Sequence, residues 1–456
     1  MPCLRPWHNI LLIAGIALWA SSSSALAQAP TPAPATPTVA PSAAPAPATA
    51  PTEGPPPAGA TPAPGTSPLP SPTPLAGGGW RKQLHNKGVD LRLDYISESA
   101  VNTTGGRHRG AAYAQQIRFG TDLDLGKLLK FEGATFHLTL NDRAGGSLSA
   151  NNFSNKLAVQ EIYGVGQNFR LGELTVDQSL AKKKYNVKLG YWAWGNDFGL
   201  TVLLCNFMNS GFCGHTQSLP NDSGWADYPN ARLGIRVRDN TSSTTYAETG
   251  AFETNPLVAL KANGFDLSLH GATGTIYPVE FAWLPGHNPG QLPGEFKIGG
   301  YYDSSHVADI ATEHLTDSGR WGYYVLASQM VVREPSRPGG LWVFAQGSNS
   351  DPQTALIKYY LDAGLVLQGT FPGRDRDNLN LGYVRAAVNP RLIAIKSEPG
   401  LDLAPGEQVA ELSYGIGISP TVIVRPDLQY LMNPGAFTQK QYGNAWIYGL
   451  QIKATF

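Results

Sequence analysis

Charge, cysteine and long apolar runs are all scarce in this sequence. Its 456 residues include three cysteines, only 15% are charged, and no run of 18 or more residues is continuously apolar. A helix that crosses a bilayer needs about 20 predominantly apolar residues, so a helical membrane protein is excluded. Lys and Arg together equal Asp and Glu at 34 each. Nucleic-acid-binding domains present a basic face, and we therefore expect no nucleic-acid partner.

Catalytic and metal-binding motifs are also missing. No glycine-rich phosphate loop, HExxH or GxSxG motif occurs, and the histidines are scattered singly. Cys205, Cys213 and His215 are candidate ligands in one loop, which makes a weak metal site. His137 and His270 fall on polar faces of candidate strands, but the spacing supplies no nucleophile beside them. We expect no enzyme activity, no metal and no cofactor.

The N-terminus has the pattern of a secretory signal peptide. Arg5 precedes an apolar stretch over residues 10–20, and Ala25-Leu-Ala27 fits a small-x-small cleavage site. This pattern predicts a signal peptide over residues 1–27, with the mature chain starting at Gln28. An uncleaved N-terminal anchor helix is the alternative.

Residues 28–79 differ in composition from everything that follows. They are rich in Pro, Ala and Thr, and Glu53 is their only charge. Such a segment cannot bury a core, so we predict a disordered periplasmic linker that is locally extended as polyproline II. It is either a plain spacer or a tether that contacts peptidoglycan.

Export places the chain in an oxidising compartment. Cys3 leaves with the signal peptide, so Cys205 and Cys213 are the only cysteines of the mature protein. A disulfide that closes a short loop is the expected state for such a pair.

The C-terminal residues alternate between apolar and polar side chains. Strand residues project alternately to opposite faces, and about ten residues suffice for a tilted strand to cross the hydrocarbon core. We predict a membrane-crossing strand, with Lys453 turned to the water inside. Trp446 and Phe456 then mark the two membrane interfaces. The lipid-facing row is Trp446, Tyr448, Leu450, Ile452, Ala454 and Phe456. The opposite face of the strand carries Ile447, Gly449, Gln451, Lys453 and Thr455.

Similar segments recur along residues 80–456, after a predicted short helix at 80–88. Dividing this region by sixteen gives about 24 residues per strand and connection, which suits an outer-membrane barrel. The expected fold is all-β, a 16-stranded antiparallel transmembrane β-barrel. Two segments, 320–332 and 377–388, alternate poorly. The candidate strands lie near 89–95, 113–124, 135–141, 170–180, 184–192, 231–239, 244–252, 265–273, 294–303, 320–332, 341–348, 356–368, 377–388, 408–418, 421–432 and 446–456.

The polar faces of these strands carry charges of both signs. A charge inside a strand is costly unless its face meets water, so these residues are candidates for lining a wet pore. They either pair with one another as solvated residues or offer hydrogen bonds to a neutral polar solute. The candidates are Arg92, Asp94, Arg118, Asp122, Arg236, Arg238, Asp362, Arg425 and Asp427.

Two long connections separate the strands, at 141–169 and 193–230. Each either folds into the lumen or covers its mouth, and residues 157–163 of the first are a candidate helical turn. Trp192 and Trp194 lie beside the second connection. They either belong to an aromatic belt at the membrane interface or stack on a sugar ring.

Several motifs occur in the order in which they occur in a known family. They are Leu148-Ser-Ala-Asn-Asn-Phe153, Val159-Gln-Glu-Ile-Tyr-Gly164, Cys205-Asn-Phe-Met-Asn-Ser-Gly-Phe-Cys-Gly214, Gly299-Gly-Tyr-Tyr-Asp-Ser304, Tyr414-Gly-Ile-Gly-Ile-Ser-Pro420 and Pro426-Asp-Leu-Gln-Tyr-Leu-Met-Asn-Pro-Gly435. From about Trp80 to Phe456 the chain resembles the OprB-type carbohydrate-selective porins. The resemblance implies a 16-stranded outer-membrane barrel that admits glucose and related sugars, with a constriction lined by charged, mainly Arg, side chains.

These observations predict an outer-membrane porin of a Gram-negative bacterium through which glucose-like monosaccharides diffuse passively. A non-selective diffusion pore is the first alternative. An outer-membrane enzyme or a structural envelope tether is the alternative from another class. The expected partners are outer-membrane lipid, small neutral sugars and the barrel-assembly machinery, which reads a terminal aromatic residue such as Phe456 in similar barrels. A monomer and a homotrimer both fit the sequence.

Overall fold

The structure is a computed structural model that describes residues 79–163, 168–286, 290–316, 319–333, 339–396, 404–438 and 442–456. The predicted signal peptide, and the predicted linker apart from Gly79, lie outside the described residues.

Sixteen antiparallel strands close into a barrel. Each strand pairs with the next along the chain, and the first pairs with the last, with Asp94 opposite Thr455. Closure satisfies the backbone groups of the outermost strands, as a bilayer requires, and it confirms the predicted fold. The strands are β1 (Val89–Asn102), β2 (Gly110–Asp124), β3 (Ala134–Gly145), β4 (Phe169–Leu180), β5 (Tyr185–Trp192), β6 (Arg232–Asp239), β7 (Thr245–Thr254), β8 (Gly274–Trp283), β9 (Gly294–Asp303), β10 (Arg320–Arg333), β11 (Gly340–Ser350), β12 (Ile357–Gln368), β13 (Asn378–Val388), β14 (Gly406–Ser419), β15 (Val422–Met432) and β16 (Ala445–Thr455).

One predicted strand, at 265–273, is wrong. Its alternating apolar residues lie in an exposed loop, and His270 therefore does not face a wet interior; the strand of this region is β8. The alternation of β8 is hidden because its inward residues Ile276 and Ala282 are apolar and because it contains Pro278. Proline removes a ladder donor and is rare within sheets. The other predicted strands overlap β1–β7 and β9–β16.

The described helices are short. The helix predicted at 80–88 is confirmed as α1 (Trp80–Asn86), and the others are α2 (Leu125–Leu129), α3 (Ser218–Asp222) and α4 (Pro390–Lys396). No helix in the described ranges has the length and hydropathy needed to cross a membrane. Of the helical turn suggested at 157–163, the structure has one hydrogen-bonded turn, from Gln160 to Tyr163, but no helix. The connection also has a π-helical turn at Ser149–Phe153.

The lengths of the connections distinguish the two rims of the barrel. Outer-membrane barrels have short periplasmic turns and longer extracellular loops, so connections after even-numbered strands, with α1 and the C-terminus, mark the periplasmic rim. The longest connections, 193–231, 146–168 and 255–273, follow odd-numbered strands, whereas the shortest, 420–421, 181–184 and 240–244, follow even-numbered ones.

The outer face of β16 is apolar, as the alternation predicts. Trp446, Tyr448 and Leu450 are exposed on it. Lys453 points inward, but it is buried against protein instead of facing open water. Its ammonium donates to the Cys205 carbonyl at 2.9 Å and lies 3.3 Å from Glu161 Oε1.

Candidate functional site

The connection 193–231, here called loop 3, folds into the barrel interior. Its side chains Phe207, Met208 and Phe212 are fully buried, in one apolar cluster with inward residues of β10–β16. Cys205 and Cys213 form a disulfide with a Cα–Cα distance of 4.1 Å, which confirms the predicted bond. The connection 146–168, here called loop 2, packs beside it, with Leu157 and Val159 in the same cluster. Both long connections therefore occupy the lumen instead of only covering its mouth.

Two inward-facing glycines leave room for loop 3. A Cβ atom on Gly382 of β13 would lie 2.6 Å from a ring carbon of Phe212. One on Gly449 of β16 would lie 2.8 Å from the sulfur of Met208. Interiors are packed too closely to absorb an added methyl group at such distances without shifting neighbours.

Buried carboxylates on the strands bind the backbone of the inserted loops. Glu411 accepts N–H groups of Met208 at 2.6 Å and Asn209 at 2.9 Å. An N–H group left buried without a partner is destabilising, so these acceptors favour the inserted position of the loop. We call this set the anchor carboxylates: Glu411, Glu407 (to Lys156 and Leu157), Glu280 (to Gly199), Asp303 (to Gly224) and Glu98 (to Ile162).

Asp222 of loop 3 makes the reverse connection, from the loop to the wall. It accepts N–H groups of Leu356 at 2.8 Å and Ile357 at 3.1 Å. Burial raises its pKa to about 7, although these hydrogen bonds act in the opposite direction. Loop 3 is thus held from both sides.

A strip of ion pairs covers the inner faces of β1–β7, and we call it the ion-pair strip. Each of the five cations in these pairs has a carboxylate nearby, so the pairs themselves are balanced. Arg143, Arg170 and Arg232 are also buried on β3, β4 and β6 but belong to none of the pairs. At Asp197, burial opposes ionisation, but Lys188 and Arg236 outweigh it and lower the pKa to about 2. The pairs are Arg92–Asp122 at 2.9 Å, Arg118–Asp94 at 2.8 Å, Lys188–Glu173 at 2.9 Å, Arg238–Glu248 at 2.8 Å and Arg236–Asp197 at 3.2 Å.

The part of the strip with the most accessible charges lies on β1–β4. The side chains of Arg92, Asp122 and Glu173 are 16%, 24% and 16% exposed. His137 Nδ1 lies 2.6 Å from Asp122 Oδ1, and Arg92 donates to the Thr139 hydroxyl at 3.2 Å. We call these five residues the accessible array. Arg92, Asp122 and Glu173 are its partly exposed members and offer both donors and acceptors, whereas His137 and Thr139 are buried.

The structure brings six of the predicted charged residues together in the ion-pair strip: Arg92, Asp94, Arg118, Asp122, Arg236 and Arg238. Asp362, Arg425 and Asp427 also point inward but are buried on strands in contact with loops 2 and 3. Arg425 donates to Asn206 of loop 3 at 3.1 Å, and Asp427 accepts from Gln429 at 2.8 Å. That any of the nine lines the pore stays a prediction.

Trp192 and Trp194 belong to a buried aromatic cluster inside the barrel. They are 2% and 0% exposed. The indole N–H of Trp192 donates to Asp197 Oδ2 at 2.7 Å, and Trp194 stacks on Phe252 with ring centroids 4.6 Å apart. These positions exclude the outer aromatic belt, and contact with a sugar stays a prediction.

Sequence reasoning missed several functional candidates. Glu173, Lys188 and Glu248 sit at inward positions of predicted strands, so the alternation rule alone was enough to find them. Asp197 lies in loop 3, where no periodicity marks it. The described residues contain no cluster of three or more His, Cys, Asp or Glu side chains that could hold a metal ion.

Comparisons with known proteins agree on one family. The model of the carbohydrate-selective porin, OprB family, matches residues 108–456. Porin B of Pseudomonas aeruginosa is 31% identical over 414 aligned residues, with 83% of this chain and 90% of the relative covered. "Putative porin QuiX" of Acinetobacter baylyi is 27% identical over 406 residues, covering 83% and 92%. The high-pH structure of Pseudomonas putida OprB matches with a TM-score of 0.77 at 32% identity, covering 83% of this chain and 97% of that one.

Proposed function

Because this chain belongs to the OprB family of carbohydrate-selective porins, which are channels and not enzymes, we propose that it conducts glucose-sized monosaccharides by passive diffusion. Its family and barrel place it in the outer membrane of a Gram-negative bacterium. The accessible array carries the finer proposal, because its partly exposed Arg92, Asp122 and Glu173 combine donors and acceptors on one inner wall.

In the array Asp122 is paired with Arg92, and Glu173 is paired with Lys188 next to it. This pairing of opposite charges favours a neutral, hydroxyl-bearing solute. A sugar hydroxyl can donate to Asp122 or Glu173 and accept from Arg92. Asp122 already binds Arg92 at 2.9 Å and His137 at 2.6 Å, and Glu173 binds Lys188 at 2.9 Å. A sugar therefore competes with existing bonds and is held weakly. Passage needs such weak binding, because the solute must also leave.

The remaining predicted lining residues fall into two roles in this proposal. Asp94, Arg118, Arg236 and Arg238 extend the array along the ion-pair strip. Asp362, Arg425, Asp427, Trp192 and Trp194 support the inserted loops, which narrow the passage. The contact of Arg425 with Asn206 and the packing of Trp194 on Phe252 support this division.

The envelope context adds further proposals. Residues 1–27 are removed as a signal peptide, and residues 28–79 span the periplasm as a linker that contacts peptidoglycan. The barrel-assembly machinery reads the last strand through Phe456, and the barrel is a monomer or a homotrimer. The test is a peptidoglycan pull-down of the protein with and without residues 28–79. Equal binding of the two forms would refute the proposal that this segment is a tether.

Liposome swelling tests the transport proposal. Proteoliposomes should admit glucose faster than protein-free vesicles and faster than an amino acid of equal size. Equal rates for the two solutes would indicate a non-selective pore. Glucose entry no faster than in protein-free vesicles would refute transport.

A further inference from the structure

One quadrant of the periplasmic rim is strongly basic. Three segments contribute to it: α1 with the residue after it, the connection 125–133, and the turn 181–184. By contrast, the turns 240–244 and 420–421 carry no charge, and 369–377 balances two Arg against two Asp. We call these residues the basic rim: Arg81, Lys82, Lys87, Lys127, Lys130, Lys182, Lys183 and Lys184.

Hydrogen bonds join the three segments into one surface. The Lys127 ammonium donates to the carbonyl of His85, the last turn of α1, at 3.1 Å. Gln178, just before the turn 181–184, donates its side-chain amide to the Glu132 carbonyl at 3.0 Å, and the Ser179 N–H donates to Gly133 at 2.8 Å. The basic rim is therefore a continuous patch.

Most of its ammonium groups are exposed and lack an ion-pair partner. Lys82, Lys130, Lys182 and Lys183 make no salt bridge with any described residue. Lys127 has only a 3.8 Å contact with Asp124, with both side chains 44% exposed. These cations remain available to an external anion.

Three of the lysines stand where backbone geometry favours another residue. Lys130, Lys182 and Lys183 have φ angles of 66°, 57° and 71°. Lys182 and Lys183 are the central residues of the four-residue turn 181–184, in which the Lys184 N–H donates to the Ala181 carbonyl at 3.2 Å. Gly and Asn adopt left-handed backbone most readily, so turn geometry does not account for the lysines.

Exposed apolar side chains lie among the same lysines. Leu128 and Leu129 of α2, between Lys127 and Lys130, are 41% and 60% exposed. Tyr185, directly after the turn, is exposed at the start of β5. Lysines that flank exposed apolar groups at the end of a membrane strand are typical of a surface seated in a headgroup layer, with the ammonium groups reaching to the phosphates.

We propose that the basic rim binds the anionic headgroups of phospholipids in the periplasmic leaflet, with Leu128 and Leu129 inserted at the acyl boundary. Basic residues near an anionic leaflet are attracted to it, and the attraction falls off within about a Debye length. A soluble anionic polymer would satisfy the lysines but would leave both leucines in water, which is why we favour lipid.

The test uses the mature full-length protein in nanodiscs of phosphatidylcholine, with or without phosphatidylglycerol. Native mass spectrometry should detect retained phosphatidylglycerol on the wild type and a several-fold loss in the variant K130N/K182N/K183G. Asn and Gly adopt left-handed backbone readily, so this variant keeps its turns. The matched control, R374Q/R376Q, alters a charge-balanced rim turn and should retain the lipid.

Equal retention of phosphatidylglycerol by the triple variant and the wild type would overturn the proposal. Inorganic phosphate should not raise the thermal unfolding midpoint in neutral nanodiscs, whereas phosphatidylglycerol should; equal shifts would refute the assignment to a leaflet. Sedimentation with peptidoglycan that depends on the three lysines, with lipid retention unchanged, would assign the patch to the polymer instead.

Discussion

Two regions of the inner wall share one strand pattern but serve different purposes. Beneath loop 3, on β10–β16, the inward face meets protein: apolar side chains pack against Phe207 and Phe212, and Glu411 binds loop backbone. On β1–β7 the inward face is the ion-pair strip, part of which remains accessible. An inward-facing charge in a barrel therefore does not by itself mark the pore, because it can equally hold a loop that shapes the pore.

The largest expected effect comes from removing two anchor carboxylates. In E407A/E411A, the N–H groups of Met208, Asn209, Lys156 and Leu157 lose their acceptors. Each unsatisfied buried group costs roughly 1–3 kcal/mol, so we expect loops 2 and 3 to leave the wall. Single-channel conductance should rise several-fold, while E132A, an exposed rim carboxylate, should behave as wild type. Wild-type conductance in the double variant would show that these carboxylates are not anchors.

Arg236 tests whether the ion-pair strip also supports loop 3. It lies 3.2 Å from Asp197 of that loop and 3.6 Å from Asp177 of β4. Removing one partner of a buried ion pair costs about 3–5 kcal/mol, since charges remain uncompensated. R236A should lower the free energy of unfolding by that order in urea titrations of the reconstituted barrel. The control is K182A, because Lys182 is exposed and forms no salt bridge with a described residue. Equal stability of R236A and K182A would contradict a role of Arg236 in supporting loop 3.

The disulfide should matter for stability more than for conductance. Reducing or replacing it in C205S/C213S frees a short loop in the unfolded chain, which costs about 2–3 kcal/mol in the chain-entropy model. The conductance should stay near that of the wild type, because Glu411 and the packed Phe207 and Phe212 still hold loop 3. A several-fold conductance increase would mean that the disulfide is the main constraint on the loop.

The smallest effect is expected at a glycine beneath the loop. G382A places a methyl group 2.6 Å from Phe212, and overpacking of this kind costs about 1–2 kcal/mol. The control G347A points outward on β11, where the nearest atom would be 3.6 Å away. The thermal unfolding midpoint should fall for G382A only. An equal fall in the midpoint of G347A would show that packing beneath loop 3 is not tighter than elsewhere.

The same comparison explains what could be predicted from the sequence. Alternation located the strands whose inner faces are polar, and it weakened at β10 and β13, where inward Leu326 and Val384 meet other protein. It could not separate wall charges that face the lumen from those that face a loop, since both occupy the same row of a strand. The anchoring role of Glu411 depends on where loop 3 folds, which no local pattern encodes.

The accessible array is the centre of the account, and glucose flux through R92Q/D122N tests it most directly. Asp122→Asn keeps the side-chain shape, and Arg92→Gln shortens the side chain but leaves it polar. Together they remove one ion pair of the strip whose members are partly exposed, so assembly should be unchanged. In liposome swelling, the variant should lose the preference of the wild type for glucose over an equal-sized amino acid. An unchanged preference in a correctly assembled variant would contradict the claim that sugars pass along this strip.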